Sequence, residues 1–397
     1  MERKGNKRKE KDNSNEKSPN KRQKKNQRPG DEATTSAGST GNGISDTEKL
    51  EKTINSKIKE IRETEKNSVE AEAKVLVYQN KCLRYTASQG ELKMFEELVK
   101  VEDIDVNSPD KSNHTPFLLA CRDGHLEIVK RLLANKRTNQ DAVDITGRTA
   151  LILASAHNRL DVVQLLLKNG ANNLNLKSST QQSALVVAAN NGHSMVVKEL
   201  LAFGHIDVKS QDDNLDSALI HASEEGHFKV VALLLAHSDI DVNQRNENGD
   251  VALMCASNRG YSSIVEALVK QKDITVNVKN NDGFTALMCA ADKGNSEVID
   301  LLLGHPGIDV NIEDESNDTA LNWAVDKEHK EIVRKIIGHG QVKNTVKNLK
   351  AVRSHLLHNK NSSKDTIFEN PLIGAIQSGE EEVVRWLLKA PEVHINR

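Results

Sequence analysis

The chain of 397 residues is predicted to be an all-α solenoid, a stack of short helix pairs, because one phrase recurs every 34 residues. Each copy begins with a hydroxyl or β-branched residue, continues with a small residue and then runs into apolar residues. The seven copies begin at Thr115, Thr149, Ser183, Ser217, Val251, Thr285 and Thr319. A second register, in the same phase, holds Gly124, Asn158, Gly192, Gly226, Gly260 and Gly294.

Each unit is predicted to contain two helices separated by this Gly. An apolar stretch with Ala precedes the Gly, and a helical pattern with paired aliphatic residues follows it, as in Val230-Val231 and Leu234-Leu235. Polar turn residues between units, such as Asn280 to Gly283, favour exposed hairpin turns, which we call fingers. A unit of this size cannot bury the apolar faces of both helices, so neighbouring units must complete the core.

These residues resemble the ankyrin repeat family, whose unit of about 33 residues combines a β-turn with two helices. The T-P-L-H-x-A phrase of that family is closest to residues 115–120, and residues 240–243 are similar to the end of its repeat. The resemblance covers roughly residues 81–397 and implies about nine repeats. It also implies a non-enzymatic scaffold or adaptor that binds a protein partner on a concave face. The family's signature His is replaced, for example by Leu118, so its hydrogen bonds are expected to be absent and the fingers less rigid.

Composition argues against several other classes of protein. No apolar run reaches the roughly 18–20 residues of a membrane span, and no signal peptide is visible, so we expect a soluble intracellular protein. Aromatic residues make up only 3%, which is low for a globular enzyme. No Ser, Cys or His comes with the partners that catalysis or metal binding needs. We therefore expect no enzyme, no cofactor, no metal and no small-molecule substrate.

Residues 1–43 form a basic tail that is predicted to be disordered. Residues 1–30 carry twelve Lys/Arg against four Asp/Glu, a charge of +8, which leaves −10 for the rest of the chain. Ser18 precedes Pro19 and matches a proline-directed kinase site. Two basic clusters separated by twelve residues resemble a bipartite nuclear-localisation signal for an import receptor, and nuclear rather than cytoplasmic localisation is expected. The clusters contain Lys7, Arg8, Lys21, Arg22, Lys24 and Lys25.

The tail leaves a second function open, that of a nucleic-acid-associated regulatory protein whose tail binds DNA or RNA while the repeats recruit partners. The tail has no aromatic residue, so base stacking is not available to it. Nucleic-acid binding by this segment is therefore expected to be electrostatic and sensitive to salt.

Two further segments flank the array. Residues 44–80 predict an amphipathic helix that either covers the open end of the first repeat or mediates dimerisation. Repeats 1–8 are assigned to residues 81–340 and a final repeat to residues 365–397. Between them, residues 341–364 predict an inserted basic helix that either docks on the solenoid or engages an acidic partner. A chain that is a piece of a longer protein is also consistent with this end of the array.

The partner-binding surface is predicted from position within the repeat, at the ends of the first helices and at the finger tips. The middle repeats are acidic at both places, which favours a basic peptide or protein as the partner. An ordinary solvated face is the alternative. The predicted contact residues are Arg122, Asp123, His157, Asn190, Asn191, Asp213, Asp216, Glu224, Glu225, Glu247, Asn258, Arg259, Asp292 and Lys293.

Overall fold

The computed structural model describes residues 46–65, 69–170, 174–343, 345–357, 375–376 and 379–389. The predictions made for residues 1–43 therefore lie outside the described residues. Within the described part of the chain, no helix has the length and apolar character that a membrane span requires.

Nineteen helices are found among the described residues, and they form two rows. In chain order they are α1 (Asp46–Thr64), α2 (Val69–Gln89), α3 (Leu92–Val99), α4 (Pro116–Asp123), α5 (Leu126–Ala134), α6 (Ala150–Ala156), α7 (Leu160–Lys168), α8 (Ala184–Asn190), α9 (Ser194–Leu201), α10 (Ala218–Glu224), α11 (Phe228–Leu235), α12 (Ala252–Arg259), α13 (Ser262–Val269), α14 (Ala286–Lys293), α15 (Ser296–Leu303), α16 (Ala320–Asp326), α17 (Lys330–Gly338), α18 (Val346–Leu357) and α19 (Glu381–Lys389). The even-numbered helices from α2 to α18 form the first row, and the odd-numbered helices from α3 to α19 form the second. Each helix contacts the next helix of its own row, which confirms the predicted all-α solenoid.

The recurring hydroxyl residue determines where the first-row helices begin. Thr115 Oγ1 accepts a hydrogen bond from the Leu118 N–H at 3.3 Å, which satisfies one of the free donors at the start of α4. Equivalent bonds are made by Thr149, Ser183, Ser217 and Thr285. Val251 lacks a side-chain oxygen, and α12 begins without a side-chain cap. In the repeats that have this hydroxyl, its oxygen atom therefore fixes the residue at which the first-row helix begins.

The Gly of the second register ends the first-row helix and admits a side chain of the next repeat. Gly192 has a φ of 73°, a left-handed conformation that costs a residue with a Cβ about 1–2 kcal/mol. A Cβ at this position would also lie 2.7 Å from ring atoms of His227. That ring is placed by a hydrogen bond of 3.2 Å between its Nε2 and the Asn190 carbonyl. The His residue that follows this Gly position in the next repeat therefore has a structural role.

The apolar core lies between the two rows and repeats the same residue types in the seven units from α4 to α17. One first-row position in these units is a fully buried Ala, found at Ala120, Ala154, Ala188, Ala222, Ala256, Ala290 and Ala324. One second-row position is a fully buried β-branched residue, found at Val129, Val163, Val197, Val231, Val265, Ile299 and Val333. Burying each such aliphatic side chain stabilises the fold by roughly 1.5–3 kcal/mol. The small Ala lets neighbouring helices approach closely.

Asparagine amides link consecutive repeats. Asn243 Nδ2 donates to the Asp273 carbonyl at 2.7 Å, and its Oδ1 accepts from the Thr275 N–H at 2.9 Å. The same pair of bonds is made by Asn107, Asn175, Asn277 and Asn311. The equivalent positions in the two remaining repeats hold Asp141 and Lys209.

The fingers are held by their own first residue and by each other. Asp144 Oδ1 accepts from the N–H groups of Thr146 and Arg148, both at 2.9 Å. From finger to finger, the Glu247 N–H donates to the Asn214 carbonyl at 2.9 Å, and equivalent bonds join the neighbouring fingers. These bonds order the fingers even though buried apolar residues replace the family's signature His.

At the amino-terminal end of the described chain, α1 folds back on α2. Thr47, at the start of α1, donates a 3.1 Å hydrogen bond to Glu91, which lies two residues after the end of α2, and Ile54 is buried between these helices and α3. The segment predicted as one helix over residues 44–80 is thus divided in two. Its second part continues to Gln89 because it is also the first-row helix of the first repeat. In this arrangement α1 covers that repeat.

At the other end, α18 packs on α16 and α19 packs on α17. Helix α18 lies within the predicted basic insertion and docks on the solenoid, with Val352 and His355 buried. Arg334 of α17 holds the buried carboxylate of Glu380 through two hydrogen bonds of 2.6 and 2.7 Å. Most of residues 358–378 lies outside the described residues, so the division into insertion and final repeat stays a prediction.

Gly283→Ala is expected to destabilise the chain by about 2 kcal/mol or more. Gly283 has a φ of 81°, and a Cβ there would lie 2.8 Å from the backbone nitrogen of Glu315 in the next finger. Chemical denaturation monitored by circular dichroism measures the change. Gly204→Ala is the matched control because nothing lies within 4 Å of its Cβ position and no positive φ is required. Equal effects of the two substitutions would contradict the role of the finger-to-finger contact.

Candidate functional site

The predicted contact residues lie on one surface, formed by the fingers and the carboxyl ends of the first-row helices, which we call the finger-side surface. All of them except Asp216 are exposed or half-buried. Three lie in fingers, namely Asp213, Asp216 and Glu247. The others lie at the carboxyl ends of first-row helices or directly after them: Arg122, Asp123, His157, Asn190, Asn191, Glu224, Glu225, Asn258, Arg259, Asp292 and Lys293.

Toward the amino-terminal end of this surface, the side chains are used in local bonds. Arg122 and Asp123 form a two-bond ion pair at 2.9 and 2.8 Å. Asn191 donates to the Val187 carbonyl at 2.8 Å, and His157 Nδ1 lies 2.9 Å from the Leu153 carbonyl. These groups are half-buried or exposed, but their polar atoms already have partners within their own repeat.

Toward the carboxyl-terminal end, the acidic helix ends are paired with cations. Arg259 Nη2 lies 2.9 Å from Glu224 Oε1 of the preceding repeat, and Lys293 Nζ lies 2.6 Å from Asp292 Oδ2. Lys327 Nζ sits 5.5 Å from the centre of the Trp323 ring, which is a cation–π contact. Sequence reasoning listed these acids as contact residues but could not show that cations of the same surface neutralise them.

The middle fingers contain buried carboxylates. Asp212 and Asp216 are 6% and 8% exposed, and with His221 they bring three potential ligand atoms within 4.8 Å of one another. Asp212 Oδ2 is 2.9 Å from His221 Nε2, and Asp212 Oδ1 accepts from the N–H groups of Asn214 and Asp216, both at 3.0 Å. Such a donor set suits a divalent cation in principle. Here its groups mainly satisfy one another, and Asp212 has the same finger-ordering role as Asp144.

Sequence reasoning missed this cluster because it searched for closely spaced Cys and His residues. The other two members lie four and nine residues after Asp212, a spacing that joins a finger to the first-row helix after it. The signal was present in the 34-residue register, since the residue at the start of a finger can bond a residue nine positions later, inside the following helix. Trp323 Nε1 donates to Asp314 Oδ2 at 2.9 Å in the same way.

The last residue of each finger before the cap lies in a line that we call the finger column: His114, Arg148, Gln182, Asp216, Asp250, Phe284 and Asp318. Asp216 Oδ1 accepts from Asn246 Nδ2 at 2.9 Å, and Asp250 Oδ1 accepts from Asn280 Nδ2 at 2.8 Å. Among the described residues, neither carboxylate forms an ion pair with a Lys or Arg. Burial raises the pKa of Asp216 and of Asp250, and the Asn hydrogen bonds only partly oppose this effect.

Two other members of the finger column have partners of a different kind within the chain. Asp318 has a cation, because Lys347 Nζ of α18 lies 2.8 Å from its Oδ1. Phe284 packs against Trp323 of the next repeat, with ring centres 4.9 Å apart. Asp216, which is buried, and Asp250, which is half-buried, are thus the two adjacent members of the column whose carboxylates, among the described residues, accept side-chain hydrogen bonds only from a neutral amide. His221 lies within 4.8 Å of Asp216, but its ring bonds Asp212.

The cysteines take no part in disulfides among the described residues. Cys255 and Cys289 are half-buried below the finger column, and desolvation raises the pKa of Cys255 well above its ordinary value and that of Cys289 to about 12. Both are therefore thiols at neutral pH. A thiol is a poor nucleophile compared with a thiolate, so their environment gives no sign of catalytic activation.

Comparison with known proteins agrees with this architecture. The family pattern described as ankyrin repeats (3 copies) matches residues 83–178, 171–246, 237–314 and 253–348. The human protein named ankyrin repeat domain-containing protein 7 is 42% identical over 53 residues, which is 13% of this chain and 21% of that protein. The chain thus matches about a fifth of the length of that relative. Repeats of this type form protein–protein interaction domains and are typically non-enzymatic, and the chain belongs to the ankyrin repeat family.

Proposed function

We propose that this chain binds a basic segment of a partner protein on the finger-side surface of its middle repeats. The observation that supports this proposal best is the pair of carboxylates at Asp216 and Asp250, which are placed among exposed acids and, within the described residues, form side-chain hydrogen bonds only with amides and no ion pair with a lysine or arginine. The exposed acids around them are Asp213, Glu225 and Glu247. Arg245 favours the ionised form of Asp250, but less than burial opposes it, and its guanidinium bonds the Lys279 carbonyl. A cationic side chain of a partner would supply the ion pair that no lysine or arginine of the described residues forms with these two carboxylates.

The physical basis is the cost of a charge held away from water. A buried carboxylate without a cation loses hydration that a single amide does not replace. Attraction to a lysine or arginine is also stronger at a partly buried site than in bulk water, because the effective dielectric constant is lower. The exposed acids nearby would accelerate encounter with a basic partner, and this contribution should weaken with salt.

Reversing the charge of the exposed acids is expected to weaken binding of a lysine- and arginine-rich peptide by about tenfold or more, a loss of roughly 1.4 kcal/mol. The variant combines Asp213→Lys and Glu225→Lys, and fluorescence anisotropy at low and physiological salt measures affinity. The matched control reverses two exposed acids of second-row helices, Asp161→Lys and Glu297→Lys, with the same change in net charge. Equal losses in both variants would mean that net charge alone attracts the peptide. Absence of binding by the unaltered chain would refute the proposed function.

Asp250→Asn is expected to make the chain more stable and a weaker binder. The substitution keeps the hydrogen bond from Asn280 but removes a carboxylate whose pKa is raised by burial, and stabilising changes of this kind contribute about 0.5 kcal/mol or more. The raised pKa penalises the ionised form in the folded state, and this penalty disappears as the pH falls through the folded-state pKa. The stability advantage of the variant should therefore be present at pH 7 and shrink on acidification.

Urea unfolding at a series of pH values measures this difference, and peptide titration measures the binding. Asp213→Asn serves as the control for stability because its side chain is exposed. A variant that is less stable than the unaltered chain at pH 7 would show that the Asp250 carboxylate has a structural role.

We also propose that the basic tail directs the chain to the nucleus. Support comes from the two basic clusters of the sequence alone, at residues 7–8 and 21–25. A fluorescent reporter fused to residues 1–43 should accumulate in nuclei, and replacement of Lys21, Arg22, Lys24 and Lys25 by Ala should abolish most of that accumulation. Replacement of Arg3 and Lys4, which lie outside both clusters, is the control. A reporter that stays cytoplasmic but binds RNA in a salt-sensitive way would favour the nucleic-acid alternative instead.

A further inference from the structure

We infer that the partner segment is extended and presents two lysine or arginine side chains, three residues apart, to Asp216 and Asp250, with an apolar side chain a further three residues on at Phe284. This inference rests on the proposed function and adds to it the spacing and conformation of the partner. It follows from three features of the finger column: its repeat distance, the lysine that already occupies one member, and the change from acid to aromatic.

The repeat distance sets the spacing. Asp216, Asp250 and Phe284 occupy the same position in three consecutive repeats, whose first-row helices α10, α12 and α14 pack directly on one another. Packed helices lie about 8–10 Å apart. A polyproline II segment rises about 3.1 Å per residue with three residues per turn, so every third side chain returns to the same face after about 9.3 Å. A flat β-strand places residues i and i+3 on opposite faces and does not meet this condition.

The chain itself shows how an ammonium group fits the column. Lys347 Nζ lies 2.8 Å from Asp318 Oδ1 and donates at 2.8 Å to the carbonyl of Ser316 in the same finger. The carbonyls equivalent to that of Ser316 belong to Asn214 and Asn248. Each accepts one N–H from the next finger, and a carbonyl oxygen has a second lone pair available. The fingers of Asp216 and Asp250 therefore offer the same two acceptors that hold Lys347.

The ion pair of Lys347 with Asp318 supports the inference independently of the acidic character of the middle repeats, because it shows a cation bound at an equivalent position of the column. Among the described residues, no lysine or arginine forms such an ion pair with Asp216 or Asp250. Lys347 reaches Asp318 from a helix that packs on α16, so the last position already has a cation from the chain itself.

Phe284 is the aromatic member of the finger column, and at this position the partner is expected to present an apolar side chain where the two preceding positions take cations. Phe284 and Trp323 are both half-buried, and their rings meet at 4.9 Å in a tilted arrangement. Aromatic side chains that are partly exposed beside a polar groove are favoured anchors for apolar groups of a partner. The partner segment therefore has a cationic residue, two intervening residues, a second cationic residue, two more intervening residues and then an apolar residue. The sequence can run in either chain direction.

The test uses synthetic peptides of identical composition, each with two lysines and one leucine in a Gly/Ser/Pro background. One peptide and its reverse have the three-residue spacing, and others place the residues two or four apart. A further peptide, in an Ala-rich helical background, places them seven apart. Titration against the full chain should show the three-residue spacing binding at least about tenfold more tightly than the others. Asp216→Asn and Asp250→Asn should each remove most of that preference, and Asp318→Asn, whose carboxylate is occupied by Lys347, should change affinity less than about twofold.

The outcomes separate the two proposals. If all spacings bind alike and the charge-reversal variant of the exposed acids still loses affinity, the inference is overturned while the basic partner remains. Preference for the helical peptide would overturn the extended conformation. If no peptide binds, the proposed function itself fails. The comparison among peptides needs no protein variant, so it stands even where a substitution affects folding.

Discussion

The whole structure depends on contact between neighbouring repeats. A pair of helices of eight or so residues cannot exclude water from its own apolar faces, and each repeat is completed only by the next one. The fully buried Ala position of the first row and the β-branched position of the second row show the same solution in the seven units from α4 to α17. Asparagine amides then fix the distance between units through two hydrogen bonds each. Stability in such a stack is a sum of local terms.

The contacts that stack the repeats leave the residues of the finger column free to vary. Stacking needs the Ala, the β-branched residue, the cap and the Gly, and it places no strict demand on the last residue of the finger. That position holds a histidine, an arginine, an amide, acids and a phenylalanine along the chain. Its chemistry changes from repeat to repeat while the backbone does not. Recognition by this chain can therefore be specified one repeat at a time, with a spacing that the core sets.

Much of the fold could be predicted from the sequence, because the period reports groups that every repeat uses in the same way. The hydroxyl cap and the Gly located each first-row helix, and the paired aliphatics located each second-row helix. The ends were harder. Residues 44–80 have helical periodicity throughout, but the packing of α1 on α2 and α3 is visible only in contacts such as those of Ile54. Likewise, the basic pattern of residues 341–364 did not reveal that Lys347 pairs with Asp318.

The candidate surface could be located from the sequence, since its position in the repeat is the same in each unit. Which of its side chains are already satisfied could not, because partners come from the neighbouring repeat. Glu224 forms an ion pair with Arg259, whereas the side-chain hydrogen bond of Asp250 comes from Asn280, and both have the same acidic character in the sequence. The contact residues named from the sequence stay predictions. The surroundings of Asp216 now distinguish it from the rest, and they add Asp250, which the sequence did not indicate.

The asparagine links have an interruption with a mechanical consequence. Where the other repeats have the bridging amide, two repeats have Asp141 and Lys209. A carboxylate cannot donate and an ammonium cannot accept, so at the junction with the following repeat each of these side chains can make at most one bond of the pair. Those two seams flank the repeat that contains Asn175 and lie on the amino-terminal side of the acidic fingers. A stack of repeats that has fewer bonds at two junctions bends at those junctions first. Strain from a bound ligand would be absorbed by hinge motion at these joints, and the carboxyl-terminal segment would move as a stiffer block.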